Sequence, residues 1–320
     1  MDRRDFLKRG SAAAGLVKAL SPLAKAGEAA PHGPVPKRRL GKTGAELSLI
    51  ALGGIVVTDT PQSFANNIVA EAFDRGINYF DVAPEYGNAQ ERLGPALEPY
   101  RQRVFLACKT LLREKEGSAK ELEDSLRKLR TDHVDLYQFH AVTKQEEVEK
   151  IFGPSGAMET FQAARQAGKV RFLGFSAHSV ENALAMLDHY NFDTILFPIN
   201  FVLFSQANFG PQVLARAREK GMGILALKAM AKSTWPAAQR KDHPHPKCWY
   251  QPAALPEEAS LALRWTLSQP VTAAVPPGDE KYFRLAMDVA QRFEPLKPEE
   301  EKTLLAGALG TSPIFHLGNA

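Results

Sequence analysis

Four ionisable side chains lie at or just beyond the ends of short apolar runs in this 320-residue chain. Asp81 closes the run 77–81, Lys109 closes 104–109, and His140 closes 134–140. Tyr86 follows Asp81 by five residues, and a further run, 170–175, leads into Ser176. Together these residue types can make a proton donor. A phenol has an ordinary pKa near ~10, too high for an efficient acid at neutral pH. An ammonium beside it stabilises the phenolate and lowers that value. A carboxylate keeps a buried ammonium charged, and a histidine can orient a carbonyl oxygen or share the proton. Such a set protonates a carbonyl oxygen as hydride reaches its carbon, or runs the reverse. The hydride must come from a cofactor, since no side chain supplies one. Each residue alone has a plainer reading: a structural ion pair for Asp81 and Lys109, a satisfied core histidine for His140, a loop aromatic for Tyr86. Their recurrence at successive run ends argues for one site.

Elements must bring these ends together. Apolar runs at 49–52, 77–81, 104–109, 134–140, 170–175, 194–200, 223–228 and 271–275 read as eight strands. Helical patterns lie between them. Ser118-x-x-Glu121 reads as a capping box ahead of Leu122, Leu126 and Leu129 on one face. Phe161, Ala164 and Arg165 precede Gly168, a C-capping residue, and Ala183, Leu184 and Leu187 give another amphipathic helix. Lys42-Thr43-Gly44 is turn chemistry inside an N-terminal hairpin. Eight strands, each followed by a helix, predict an α/β fold: a (β/α)8 TIM barrel with an N-terminal hairpin and a C-terminal helix. No Gly-x-Gly-x-x-Gly follows a strand, which speaks against a Rossmann fold. Chemistry in such a barrel sits at the C-terminal strand ends. Period-two alternation turns Asp81, Lys109 and His140 inward, with Phe80, Cys108 and Phe139 outward against the helices.

The composition is globular, 44% hydrophobic and 24% charged, with a net charge of +4. The excess belongs to residues 1–26, which hold six basic and two acidic residues; removing them from 40 and 36 leaves 34 of each. A neutral body implies no nucleic-acid partner. Two cysteines, Cys108 and Cys248, exclude a four-cysteine zinc or iron–sulfur site and a disulfide scaffold. Arg3-Arg4 before Phe6, Leu7 and Lys8, a modest apolar stretch over 11–24, and Ala24-Lys25-Ala26 as a small-x-small cleavage site resemble a twin-arginine signal peptide. The stretch is too short to serve as a stable membrane anchor. Residues 27–36, with Pro31, Gly33, Pro34 and Pro36, read as a linker, and 37–320 as the barrel.

Two longer segments carry a family resemblance over residues 37–310. Phe80-Asp-Val-Ala-Pro-Glu-Tyr-Gly87, with Glu91 and Leu93-Gly94 beyond, and 122–140, ending Asp135-Leu-Tyr-Gln-Phe-His140, resemble signatures of the aldo-keto reductases. The resemblance implies a reductase of aldehydes or ketones that transfers hydride from NADP(H), with Tyr86 as general acid, Lys109 and Asp81 as its tuners and His140 as substrate orienter. Its cofactor contacts would include Ser176, Leu227, Lys228, Gly278 and Arg284. Ser176 is retained from the segment that holds the nicotinamide amide, whereas Ala177 stands for its usual asparagine and Leu196 for a glutamine. Leu227 stands where an aromatic usually stacks on the ring, and Lys228 where a serine often lies near the pyrophosphate. Gly278 and the following helix resemble the adenosine 2′-phosphate grip, with Arg284 in place. Met287 and Asp288 replace the residues that read adenine, and Asp279 would oppose a phosphate, so NAD(H) stays open beside NADP(H).

Residues 229–256 form one long insert containing His243, His245, Cys248, Trp249 and Tyr250. The intervening prolines make a metal site awkward there, and a lid whose Trp249 and Tyr250 pack on ligand fits better. The altered nicotinamide contacts keep a second class in view, a cofactor-binding sensor on the same fold with little turnover. The leader implies the twin-arginine export machinery as a partner and a periplasmic or exported location. Replacing Arg3 and Arg4 by lysines should then trap full-length, active protein in the cytoplasm. Fractionation with activity assays of both pools checks this; export of the double variant would refute it.

Overall fold

The computed structural model describes residues 33–318. The expected signal peptide, residues 1–26, lies outside the described residues, as do 27–32 of the linker. Two antiparallel strands come first, β1 (Lys37–Arg39) and β2 (Glu46–Ser48), joined by the expected turn. Eight parallel strands follow: β3 (Leu52–Gly53), β4 (Tyr79–Asp81), β5 (Phe105–Thr110), β6 (Val134–Val142), β7 (Val170–Ala177), β8 (Thr194–Pro198), β9 (Gly223–Leu227) and, later, β12 (Ala273–Val275). Each pairs with its neighbour in chain order, from β3 round to β12. A parallel bridge between Ile50 and Ala274 joins the two ends, with Ala51 N–H donating to Ala274 O at 3.0 Å and Ala274 N–H to Leu49 O at 2.9 Å. The expected (β/α)8 barrel is the observed fold.

Helices wrap the outside: α1 (Gln62–Asp74), α2 (Ala89–Leu97), α3 (Lys115–Lys128), α4 (Gln145–Phe152), α5 (Ala157–Gln166), α6 (Val180–His189), α7 (Phe201–Gln206), α8 (Pro211–Glu219), α9 (Pro256–Ser268), α10 (Glu280–Gln291) and α11 (Pro298–Gly307). Among the described residues no helix is long and apolar enough to cross a membrane. The core has two parts. Phe80, Cys108 and Phe139 face outward into the large strand–helix layer, as alternation requires. A smaller cluster, including Leu40, Leu47, Tyr79, Phe105, Leu136, Leu196 and Leu225, plugs the barrel below the strand ends. The hairpin supplies two of these and closes the base. A Cβ on Gly223 would sit 2.4 Å from Leu40 Cδ1, so only glycine lets the hairpin seat there.

Several local expectations shift. Helix α3 starts at Lys115, not at Ser118: Lys115 N–H is held by Ser155 O at 2.9 Å, and the Ser118 hydroxyl donates to Lys115 O inside the first turn. The predicted capping box is therefore absent, though Leu122, Leu126 and Leu129 are buried as expected. The second barrel strand begins at Tyr79 rather than 77, because Asn78 turns its side chain to the hairpin, accepting from Ser48 N–H at 2.7 Å. The sixth stops at Pro198, which lacks an N–H, and Asn200 caps α7 by accepting from Leu203 N–H. The insert folds as a hairpin of its own, β10 (Ala231–Thr234) against β11 (Tyr250–Pro252).

Candidate active site

Strand pairing sets the site. Asp81, Lys109 and Gln138 sit in successive strands, with Asp81 opposite Ala107 and Lys109 opposite Gln138. All three side chains point into the barrel and are buried. Lys109 Nζ forms an ion pair with Asp81 Oδ1 and also donates to Val82 O at 3.3 Å. Tyr79 Oη and Gln138 Nε2 donate to Asp81 Oδ2 at 3.2 and 3.4 Å. Burial alone would lower the Lys109 pKa, but Asp81 overrides it and holds the ammonium above its ordinary value.

Tyr86 is carried on the loop after β4. Its N–H bonds Ala83 O at 3.1 Å, and the Thr58 hydroxyl donates to its carbonyl at 3.0 Å. Lys109 Nζ lies 5.1 Å from the Tyr86 ring centroid. The sequence suggested a phenol tuned downward by Lys109. In the structure burial is the larger influence, and the net effect is a pKa raised above 10 despite Lys109. The phenol therefore keeps its proton at neutral pH. His140 stands edge-on to Tyr86, with ring centroids 5.7 Å apart. Just beyond it Ala141 takes a left-handed conformation, φ 52°, breaking the β6 register. The Ser176 hydroxyl accepts from Ala141 N–H at 2.8 Å and fixes that break. This bends the strand end that carries His140.

One cavity of about 250 Å³ joins these residues. Asp81, Tyr86, Lys109, His140, Ser176, Leu227, Lys228 and Gly278 all line it, bringing eight of the nine sequence-predicted positions together. Arg284 is the exception. It sits on α10, partly exposed, with Glu71 and Glu280 as ion-pair partners. Asp279 caps the same helix, accepting from Lys281 N–H at 3.0 Å, so a carboxylate of the chain already occupies its N-terminus. Asp288 pairs with Arg75.

The insert covers the mouth. Trp249 and Tyr250 line the cavity and flank Lys228, whose Nζ lies 5.1 and 4.9 Å from their ring centroids. Lys247 Nζ clasps Val56 O at 2.9 Å. His243 and His245 do not converge with Cys248 on a common point: His243 stacks on Trp235, and His245 contacts Tyr282 Oη at 3.3 Å. The C-terminal segment adds Phe315, which stacks on His178 and meets Trp249 edge-on. Burial, Lys228 and His140 drive His178 down to about 3, so it stays neutral. The buried Cys108 and Cys248 thiols are pushed up to about 11 and about 12, which makes them poor nucleophiles.

Sequence reasoning missed several site residues. Tyr79 and Gln138 lie two positions before Asp81 and His140, so period-two alternation could have found them. His178 and Phe315 carried no usable signal. Neither did Glu85, whose Oε2 lies 2.9 Å from His140 Nδ1.

A parallel eight-stranded barrel thus carries a tyrosine, a lysine–aspartate pair and a histidine on its C-terminal rim. The chain belongs to the aldo/keto reductase family, whose profile matches residues 49–304. The Bacillus subtilis aldo-keto reductase YhdN is 33% identical over 158 residues, 43% of this chain and 46% of that protein. The uncharacterized oxidoreductase YqkF of the same organism is 31% identical over 155 residues, so the match spans about half the length of each. The oxidoreductase YrpG, also from B. subtilis, is 25% identical over 280 residues, 73% of this chain and 84% of that one. Among solved structures, the holo form of aldo-keto reductase AKR11C1 from Bacillus halodurans superposes with a TM-score of 0.68 over 88% of this chain and 99% of its own, at 22% identity. That likeness is one of fold.

The cavity's donor set suits the nicotinamide end of a dinucleotide. Leu196, Leu227 and Tyr250 offer apolar walls, Ser176 keeps a hydroxyl proton to donate, and the Lys228 ammonium has no carboxylate partner among the described residues. Burial, reinforced by the Lys109 charge, lowers the Lys228 pKa to about 8. Its positive charge is present below that pH and lost as pH rises through it. Affinity for a nicotinamide dinucleotide should therefore be full near pH 6–7 and fall above about pH 8. Lys228→Met should bind about tenfold or more weakly at pH 7 and lose that pH dependence. Calorimetric titration at several pH values checks both.

Proposed function

We propose that this protein is a reductase of aldehydes or ketones in which Tyr86 is the general acid. One observation carries the reading: Tyr86, Lys109, Asp81 and His140 open onto a single lidded cavity. When bound there, a reduced nicotinamide supplies the hydride that no side chain can. The protein's own residues do the rest. Tyr86 holds a phenolic proton at the cavity wall and passes it to the carbonyl oxygen as negative charge develops. Lys109, kept cationic by Asp81, stabilises the phenolate left behind. His140 orients the substrate. Ser176, Leu227, Lys228 and the backbone at Gly278 would hold the nucleotide. Trp249, Tyr250 and Phe315 exclude water, which strengthens these charge interactions. Intact acid chemistry favours turnover over a sensor with little activity.

For the cofactor, NADP(H) rests on Arg284 as the 2′-phosphate ligand, with Glu71 and Glu280 as its competitors for that side chain. We infer from residues 1–26 that the folded protein is exported with its nucleotide bound, since a site assembled from distant strand ends cannot hold one before folding.

Tyr86→Phe removes only the phenolic hydroxyl. It should lower kcat/KM for a panel of aldehydes by about 10²–10⁴-fold while leaving dinucleotide affinity unchanged. A variant within twofold of wild type would sink the assignment. Arg284→Ala should weaken NADPH about tenfold or more and NADH hardly at all, because a charge-assisted contact is worth about 1.5–3 kcal/mol. Fluorescence titration with both nucleotides reads this, and equal affinities in wild type would instead assign Arg284 to its ion pairs alone.

A further inference from the structure

Glu85 stands next to Tyr86 in the chain, yet the proton-donor set does not use it. Its Oε2 lies 2.9 Å from Nδ1 of His140. Nε2, the other ring nitrogen, has no partner among the described residues, and the ring lines the cavity. An ionised carboxylate only accepts hydrogen bonds, so Nδ1 must carry the proton. A neutral imidazole has one ring proton, which leaves a lone pair on Nε2.

The surroundings oppose a second ring proton. Lys109 on β5 and His178 at the end of β7 face the ring, together with Asp81 on β4 and Tyr86. Lys228 acts on His178, and Arg113, paired with Glu147, donates to the His140 carbonyl at 2.6 Å. Burial, aided by Lys109, holds the His140 pKa below its ordinary value against the pull of Glu85 and Asp81. Burial would raise Glu85, but the hydrogen bond from His140 carries it below the usual carboxylate range. The pair is thus carboxylate and neutral imidazole at neutral pH.

We propose that Glu85 is a positioning residue that fixes His140 with Nε2 as a hydrogen-bond acceptor, and that the site therefore selects carbonyl substrates bearing a hydroxyl beside the reacting carbon. This rests on Tyr86 being the acid that meets the carbonyl oxygen. A bare Nε2 cannot bond that oxygen, since two lone pairs would face each other. It can accept from a neighbouring hydroxyl, which keeps its proton throughout. A substrate without that hydroxyl leaves Nε2 unpaired in a covered cavity, and an unmade hydrogen bond there costs more than a made one gains.

The test pairs spectroscopy with kinetics. Imidazole ¹⁵N spectra of the full chain at pH 7.5, with the His140 signal identified by its loss in His140→Gln, should show Nδ1 protonated and Nε2 bare. Wild type should prefer 2-hydroxypropanal to propanal by about tenfold in kcat/KM. Glu85→Leu frees the ring proton to move to Nε2 and should bring that ratio close to one. A protonated Nε2 in wild type overturns the proposal, and so does an unchanged ratio in a variant whose tautomer has switched. The wild-type spectrum is decisive even if the variant folds poorly. Should neither aldehyde turn over while Nδ1 is protonated, the substrate claim falls together with the reductase reading, and only Glu85's hold on the ring survives.

Discussion

The buried ion pair between Lys109 and Asp81 is the constraint on which the rest depends. An unpaired ammonium at that depth would give up its proton rather than pay the cost of desolvation. Asp81 keeps it charged, and Tyr79 and Gln138 satisfy the carboxylate's other oxygen. Such pairs contribute little net stability, because desolvation offsets their attraction. Here the barrel supplies what they require: adjacent parallel strands in fixed register, above an apolar plug that keeps water from below. The apolar layer thus supports the polar one.

From that pair the electrostatics of the cavity follow. A fixed positive charge helps keep His140 neutral and draws down the pKa of Lys228, and burial with Lys228 and His140 keeps His178 neutral in turn. Tyr86 feels the same charge, yet burial dominates and keeps the phenol protonated. A protonated phenol beside a permanent cation is poised to give its proton away, since the charge produced is the one the cation stabilises. The site stores its readiness in a charge that never titrates at physiological pH.

The cover over the cavity comes from two places in the chain. The β10–β11 hairpin brings Trp249 and Tyr250 over Lys228, and the C-terminal segment brings Phe315 against His178 and Trp249. The hairpin is clasped to the rim by Lys247 on Val56 O and by His245 against Tyr282. Within it Trp235, Cys248 and Tyr250 are buried, and Trp235 Nε1–H donates to Cys248 O at 2.9 Å.

By itself the sequence determined the barrel and most of the site. Eight apolar runs of strand length separated by helical periodicity admit few other folds, and alternation fixes which end residue faces inward. Eight of the nine positions it pointed to meet in one cavity for that reason. Local propensity put the first turn of α3 at Ser118, but a backbone bond from Lys115 to Ser155, forty residues away, starts the helix earlier. Nor could it find Glu85 against His140, Phe315 against His178, or Arg284 drawn to Glu71. Those contacts join residues from 55 to more than 200 positions apart, and their geometry exists only once the strands are in register. Whether the Tyr86 phenol rises or falls was likewise open to tertiary structure alone, because burial and the Lys109 charge act in opposite directions and their balance depends on depth in the barrel.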